Sequence, residues 1–189
     1  MKILLLHVTI LWCCARPFMA IGQSSSSLEA MLESRKTQLP NGWQLSPAGS
    51  MLPLGDLPLN MAVSSSKKLM AVTNNGQSVQ SIQLIDLETE KVVYSEVIPK
   101  SWYGLSFSNG GKFLYASGGN DNMIRKYAVD QGKLILADSI ILGKPWPVKI
   151  SPTGLTLASK KQLMYIVTKE NNTLYVVDIK SKSILKTVA

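Results

Sequence analysis

The sequence predicts an all-β protein of the β-propeller class: about three four-stranded blades of a ring expected to hold seven, incomplete within this chain. Three observations predict it. Short apolar stretches of strand length recur along residues 58–189, separated by Gly-, Asn-, Pro- and Lys-containing turns. They repeat with a period in the low forties, the serines Ser64, Ser108 and Ser151 being spaced 44 and 43 residues apart. The similarity also holds in both halves of each unit with strand order preserved. That pattern is the mark of propeller blades, and it argues against a β-sandwich with incidental self-similarity.

The elements follow in chain order. Met1-Lys2 supplies a positive start, and Ile3 to Cys14 is apolar apart from His7 and Thr9. The run is shorter than the ~20 apolar residues of a membrane span and matches a secretory signal. Ala20-Ile21-Gly22 places small side chains where a signal peptidase reads them, so residues 1–22 are expected to leave, with Gln23 the mature N-terminus. An uncleaved anchor is the competing reading. Cleavage removes Cys13, Cys14 and His7, the only cysteines and histidine. The mature segment then has no thiol, imidazole or disulfide, which excludes Ser-His-Asp and Cys-His nucleophilic sites and zinc sites built on His or Cys. No catalytic residue and no metal ligand is assigned, and no cofactor is expected in this segment.

Residues 23–57 form a lead-in. Ser26-Ser27-Leu28-Glu29 fits a capping box ahead of Met31, Leu32 and Leu39, so a short helix is expected there. Pro40-Asn41-Gly42 and Pro47-Ala48-Gly49 are turn signals, with strands expected at Trp43–Leu45 and Ser50–Leu54, and Trp43–Leu54 is available to close a full ring.

Three repeats are expected at 58–100, 101–143 and 144–189. Met61-Ala62-Val63, Leu105-Ser106-Phe107 and Val148-Lys149-Ile150 read as first strands ahead of the serine anchors. Second strands are expected at Leu69–Thr73, Phe113–Ser117 and, displaced by an insertion around Ala158–Gln162, at Leu163–Thr168. Third strands align Ser81–Leu87, Met123–Val129 and Thr173–Ile179; fourth strands follow at Val92–Ile98, Leu134–Leu142 and from Ile184.

The charge of +8 falls to +6 once Lys2 and Arg16 leave, and its lysines are scattered singly or in pairs. Scattered lysine solvates a surface and blunts strand edges, and no basic motif with interleaved aromatics points to nucleic acid.

Leu69-Met70-Ala71-Val72-Thr73-Asn74 followed by Ile85-Asp86-Leu87-Glu88-Thr89-Glu90-Lys91-Val92 resembles the YVTN-type propeller repeat of bacterial exported proteins. The stretches Gly55–Asn60, Asn74–Gln80 and Ala116–Asn122 are similar to those of envelope proteins in which such a propeller precedes a phosphoesterase domain of the alkaline-phosphatase type. The resemblance implies a periplasmic or extracellular location. It also implies missing C-terminal blades and a missing catalytic domain, to which any divalent metals would belong. No residue of a phosphoesterase site is present in this segment. A three-blade array ending inside a fourth strand at Lys186–Ala189 reads as an N-terminal fragment, or else as a ring completed by oligomerisation.

Loops leading into first strands and loops joining second to third strands share one face of a propeller. They bring together Trp102, Tyr103 and Trp146 with Asn75, Gln77, Asn120, Asp121 and Glu170, the candidate ligand-binding residues. Rings supply contact area and amides fix orientation, which suits an unidentified small molecule, a glycan or a peptide. The same Asn and Gly residues also suit left-handed turns, and Trp also fills blade interfaces. A binding or scaffold module, the front end of an exported phosphoesterase, and a propeller lactonase are the three function classes left open. The last usually needs channel histidines, which this segment lacks.

Overall fold

The β-branched and aromatic runs of the repeats form strands, and the short connections between them force each strand to turn back on its predecessor. The computed structural model describes residues 51–100 and 102–189, together with 30, 33, 34, 36–46 and 49. The expected signal peptide, most of the capping-box segment and the turn at Pro47-Ala48 lie outside the described residues. The chain divides into two units, 1–51 and 52–189.

In the first unit Ala30, Glu33 and Ser34 are helical. Strands β1 (Thr37–Gln38) and β2 (Gln44–Leu45) then pair in an exposed antiparallel hairpin. Its turn is the one signalled by Pro40-Asn41-Gly42: Gly42 takes φ +82°, and Trp43 N donates to Asn41 Oδ1 at 3.0 Å.

The second unit holds three four-stranded antiparallel sheets. Blade 1 comprises β3 (Pro58–Val63), β4 (Leu69–Asn74), β5 (Ser81–Asp86) and β6 (Lys91–Val97). Blade 2 comprises β7 (Leu105–Phe107), β8 (Phe113–Ser117), β9 (Met123–Asp130) and β10 (Lys133–Ile141). Blade 3 comprises β11 (Pro152–Ala158), β12 (Leu163–Thr168), β13 (Leu174–Asp178) and β14 (Ile184–Val188). In every blade each strand pairs with the next along the chain, and the outermost pair carries a bulge.

Two expectations are corrected. Residues 51–54 form no strand. In blade 3 the first strand is Pro152–Ala158, and Val148–Ile150, expected as that strand, lies in a loop. The hairpins of blades 1 and 2 explain the misplacement. Ser64 N donates to Leu69 O at 2.8 Å and receives back a bond from Leu69 N on its Oγ at 3.1 Å. Ser108 does the same with Phe113, at 2.8 and 3.0 Å. In blade 3 that place is held by Ala158, paired with Leu163. The anchor therefore recurs 50 residues after Ser108 without its hydroxyl, and Ser151 is a different kind of residue. Its φ is +50° and its N–H donates to the side chain of Asn122, so it ends a loop.

The core lies between sheets. Leu114 and Ala116 of β8 face blade 1 and pack with Ala71, Ile82, Leu84 and Tyr127. Tyr115, between them, faces blade 3 with Ile124, Ile140, Met164, Ile166 and Val177. Strand alternation thus buries both faces of blade 2, each filled aliphatic side chain being worth about 1.5–3 kcal/mol. The one-residue bulge between Leu136 and Asp138 lets a single strand serve both cores, Leu134 packing towards blade 1 and Ile140 towards blade 3. Burial pushes the Tyr127 phenol up to about 12, so it stays neutral inside its cluster. The outer faces differ. Leu59, Met61 and Val63 of β3 and Val167 of β12, on the faces turned away from blade 2, are exposed.

Candidate functional site

Loops at one end of the strands enclose a cleft of about 880 Å³ between the three blades. Blade 1 contributes the β4–β5 loop, from Asn75 to Gln80, and the segment after β6, including Pro99 and Lys100. Blade 2 contributes Trp102, Gly119 and Asn120, and the far wall is Trp146, Ser151, Lys169 and Glu170.

Asn122 builds that far wall. It is fully buried in the left-handed conformation at the end of the 3₁₀ turn Gly119–Asp121. Its Nδ2 donates to Lys144 O at 2.7 Å and Val148 O at 2.6 Å, and its Oδ1 accepts from Ser151 N at 2.9 Å. One side chain therefore folds the loop from Lys144 to Ser151 and presents Trp146, which is 55% exposed. Asn120 adds two links: its O accepts from Trp146 N at 3.2 Å, and its Oδ1 accepts from Ser151 Oγ at 2.9 Å. Gly119, at φ +51°, sits so close beneath Lys100 O that a Cβ there would collide with it.

Gln80 is the blade 1 counterpart of Asn122: its carbonyl accepts from Ile98 N as Asn122 O accepts from Leu142 N. The counterpart behaves differently. Gln80 Oε1 is buried without a hydrogen-bond partner, and so are both side-chain atoms of Asn75. Three unpaired polar atoms on one wall are unusual, since each costs about 1–3 kcal/mol when left unsatisfied.

The charged side chains of the lining are tied into ion pairs. Lys100 Nζ lies 3.0 Å from Asp121, which also binds Arg125 at 3.2 Å, and Lys169 pairs with Glu170 at 3.4 Å. Lys169 Nζ further stands 5.5 Å from the Trp102 ring centroid, and Lys149 Nζ 5.6 Å from that of Trp146.

Of the eight candidate residues, Asn75, Gln77, Trp102, Asn120, Trp146 and Glu170 line the cleft together. Asp121 and Tyr103 do not. The Asp121 carboxylate is taken up by Lys100 and Arg125, and Tyr103 is exposed outside the lining, its carbonyl accepting from Asn60 Nδ2 at 2.8 Å. Sequence reasoning missed Gln80, Ser151, Lys169 and the organiser Asn122. The last two residues before a third strand, Val79-Gln80 and Asp121-Asn122, carried the signal; it was masked because Asn and Gly in such loops also satisfy turn geometry.

No family model matches the chain, and no curated protein matches it by sequence. Solved structures do match its fold. The chain superposes on the RRP9 WD40 repeats with a TM-score of 0.57 at 12% identity, over 72% of this chain and 40% of that one. It superposes on Kuenenia stuttgartiensis hydrazine synthase at 0.55 and 16%, over 74% and 38%. A functionally unknown protein from Desulfotomaculum acetoxidans DSM 771 gives 0.59 and 15%, over 81% and 47%. At these identities the likeness carries the fold alone, and the chain spans less than half the length of each of these structures.

Proposed function

We propose that this β-propeller is a binding module of an exported envelope protein, and that its ligand is a neutral, polar molecule such as a glycan or short peptide seated in the loop-face cleft. The observation that carries this reading is the set of unpaired buried atoms on Asn75 and Gln80, in a wall flanked by Trp102 and Trp146. Amides offer both donors and acceptors, and rings offer flat apolar contact. Both lysines of the lining, Lys100 and Lys169, already hold a carboxylate, which leaves no bare ammonium in the cleft for a strongly charged ligand. Export rests on the signal-like residues 1–22.

Tryptophan fluorescence titrated with neutral oligosaccharides and with uncharged peptides tests it. One class is expected to shift the emission saturably, with Trp102→Ala and Trp146→Ala each weakening binding about 3- to 10-fold. Asn75→Leu is expected to abolish binding while raising the melting temperature of the free protein, because it removes an unsatisfied buried amide. Binding that survives both tryptophan substitutions places the ligand elsewhere and sinks the reading.

The likeness of Gly55–Asn60 and Ala116–Asn122 to phosphoesterase-linked propellers supports a compatible second reading, in which this segment is the front end of such an enzyme. Phosphoesterases of that type need clustered metal ligands, and among the described residues no group of three or more His, Cys, Asp or Glu side chains comes together. Chromogenic phosphate esters with added divalent metals are expected to turn over only when the coding sequence is extended. Turnover by this segment alone, lost on Asp121→Asn, would overturn its non-catalytic assignment.

A further inference from the structure

The opposite end of the strands carries a second groove, of about 540 Å³, between blades 2 and 3. Its walls include Ser108, Lys112, Lys126, Asp138, Ser159 and Lys180. The groove is basic in a specific way. Lys126 is half-buried with its Nζ 4.1 Å from the Phe113 ring centroid, so its ammonium is held in place instead of trailing in solvent. Lys112 and Lys180 form no ion pair among the described residues, and the charge of Lys180 is felt by Asp178 only at longer range. The one carboxylate in the wall, Asp138, is already engaged by Lys182, whose Nζ lies 3.1 and 3.0 Å from its two oxygens. The hydrogen bond from Lys182 and the one from Ser139 N hold the Asp138 carboxyl below its usual range, so it stays charged and committed. Three ammonium groups thus line one concavity with none of them in an ion pair among the described residues, Asp138 and Asp178 acting on Lys126 and Lys180 only at longer range.

Donors complement them. Ser108 Oγ accepts from Phe113 N at 3.0 Å, which leaves its own hydrogen free to donate. Ser159 contributes a second hydroxyl to the lining. Ammonium groups and hydroxyls lining one groove concentrate anions there. We propose that this groove binds a phosphate-type oxyanion, with Lys126 as the fixed contact, Lys112 and Lys180 closing over it, and Ser108 donating from the floor. The site is independent of the cleft at the other end, and each can stand without the other.

Isothermal titration of the chain, purified as expressed, with inorganic phosphate is the first test. Saturable one-to-one binding that weakens as ionic strength rises is expected. Lys126→Met, which keeps the stem against Phe113, is expected to weaken it about ten-fold or more, the scale of a lost hydrogen bond to a charged group. Lys112→Gln with Lys180→Gln alters only exposed side chains and is expected to weaken it comparably, so the test survives if Lys126→Met perturbs the fold. Lys67→Gln with Lys68→Gln, in a blade 1 hairpin outside the groove, is expected to leave it unchanged. A second arm separates sources of the phosphate, by cosedimentation with phosphatidylglycerol against phosphatidylcholine vesicles. Retention on the anionic vesicles, lost in the groove variants, identifies a lipid headgroup; titration without retention identifies a free phosphate. No saturable heat and no retention, or equal weakening by the Lys67/Lys68 pair, overturns the proposal.

Discussion

Asn122 shows how much one residue can decide. Its amide satisfies two part-buried carbonyls and one buried N–H of the loop that carries Trp146. Asn122→Leu keeps the volume and strands the buried Ser151 N–H at about 1–3 kcal/mol, while the two part-buried carbonyls can turn to water. The variant is therefore expected to lose about 1–3 kcal/mol in denaturant unfolding and to shift the Trp146 emission in the native state. An unchanged Trp146 signal would show that the loop holds its shape without the amide. This organiser was not legible in the sequence, because Ala116–Asn122 reads as a Gly- and Asn-rich turn whatever its side chains do. The aromatic members of the site were legible, because Trp102 and Trp146 fall in loops whose position the repeat dictates. Asp121 was misleading for a related reason: a carboxylate in a loop looks available until Lys100 and Arg125 are seen beside it.

At the level of elements, the hairpin turns after the third strands carry a matched device. Asp86 Oδ1 accepts from Thr89 N at 2.7 Å, Thr89 Oγ1 at 3.0 Å and Glu88 N at 3.0 Å, and Asp178 Oδ1 accepts from Ser181 N at 2.6 Å and Ser181 Oγ at 2.8 Å. These bonds, led by the backbone N–H of Thr89 and of Ser181, hold both carboxyls below the ordinary 3.8. A depressed folded pKa gives stability that is present above the unfolded value and is lost as pH falls through the folded one. The thermal midpoint is expected to hold between about pH 7 and 5 and to drop below about pH 4. Asp86→Asn with Asp178→Asn should start lower at neutral pH and lose less on acidification. A parallel acid limb in the double variant would assign the effect to other groups. The blades themselves were readable from the recurring β-branched runs, but the third was misaligned at its first strand. Ser151 stands at the repeat spacing without being the anchor, and Ala158, which holds the anchor's place, offers no hydroxyl to recognise.

At the scale of the molecule, blade 2 is covered on both faces, whereas blades 1 and 3 present apolar side chains to solvent, including Met61 at 65% and Val167 at 50% exposure. Exposed apolar sheet faces drive association. Concentration-dependent oligomers are expected in sedimentation velocity, and Met61→Lys with Val167→Lys is expected to shift the population to monomer. A monomer across the whole concentration series without those changes would show that these faces are too small to pair. One feature of the sheets reaches further: every strand bonds to its immediate neighbour in the chain, so each blade is a succession of local hairpins. Closing a short loop forfeits little chain entropy, and chains rich in such contacts fold quickly. The blades can therefore form one by one, while the interblade clusters around Leu114 and Tyr115, with polar ties such as Asn60 to Tyr103 and Lys182 to Asp138, link their fates. Blade 2, gripped from both sides, becomes the last to open, and the protein should melt inward from its two flanking sheets.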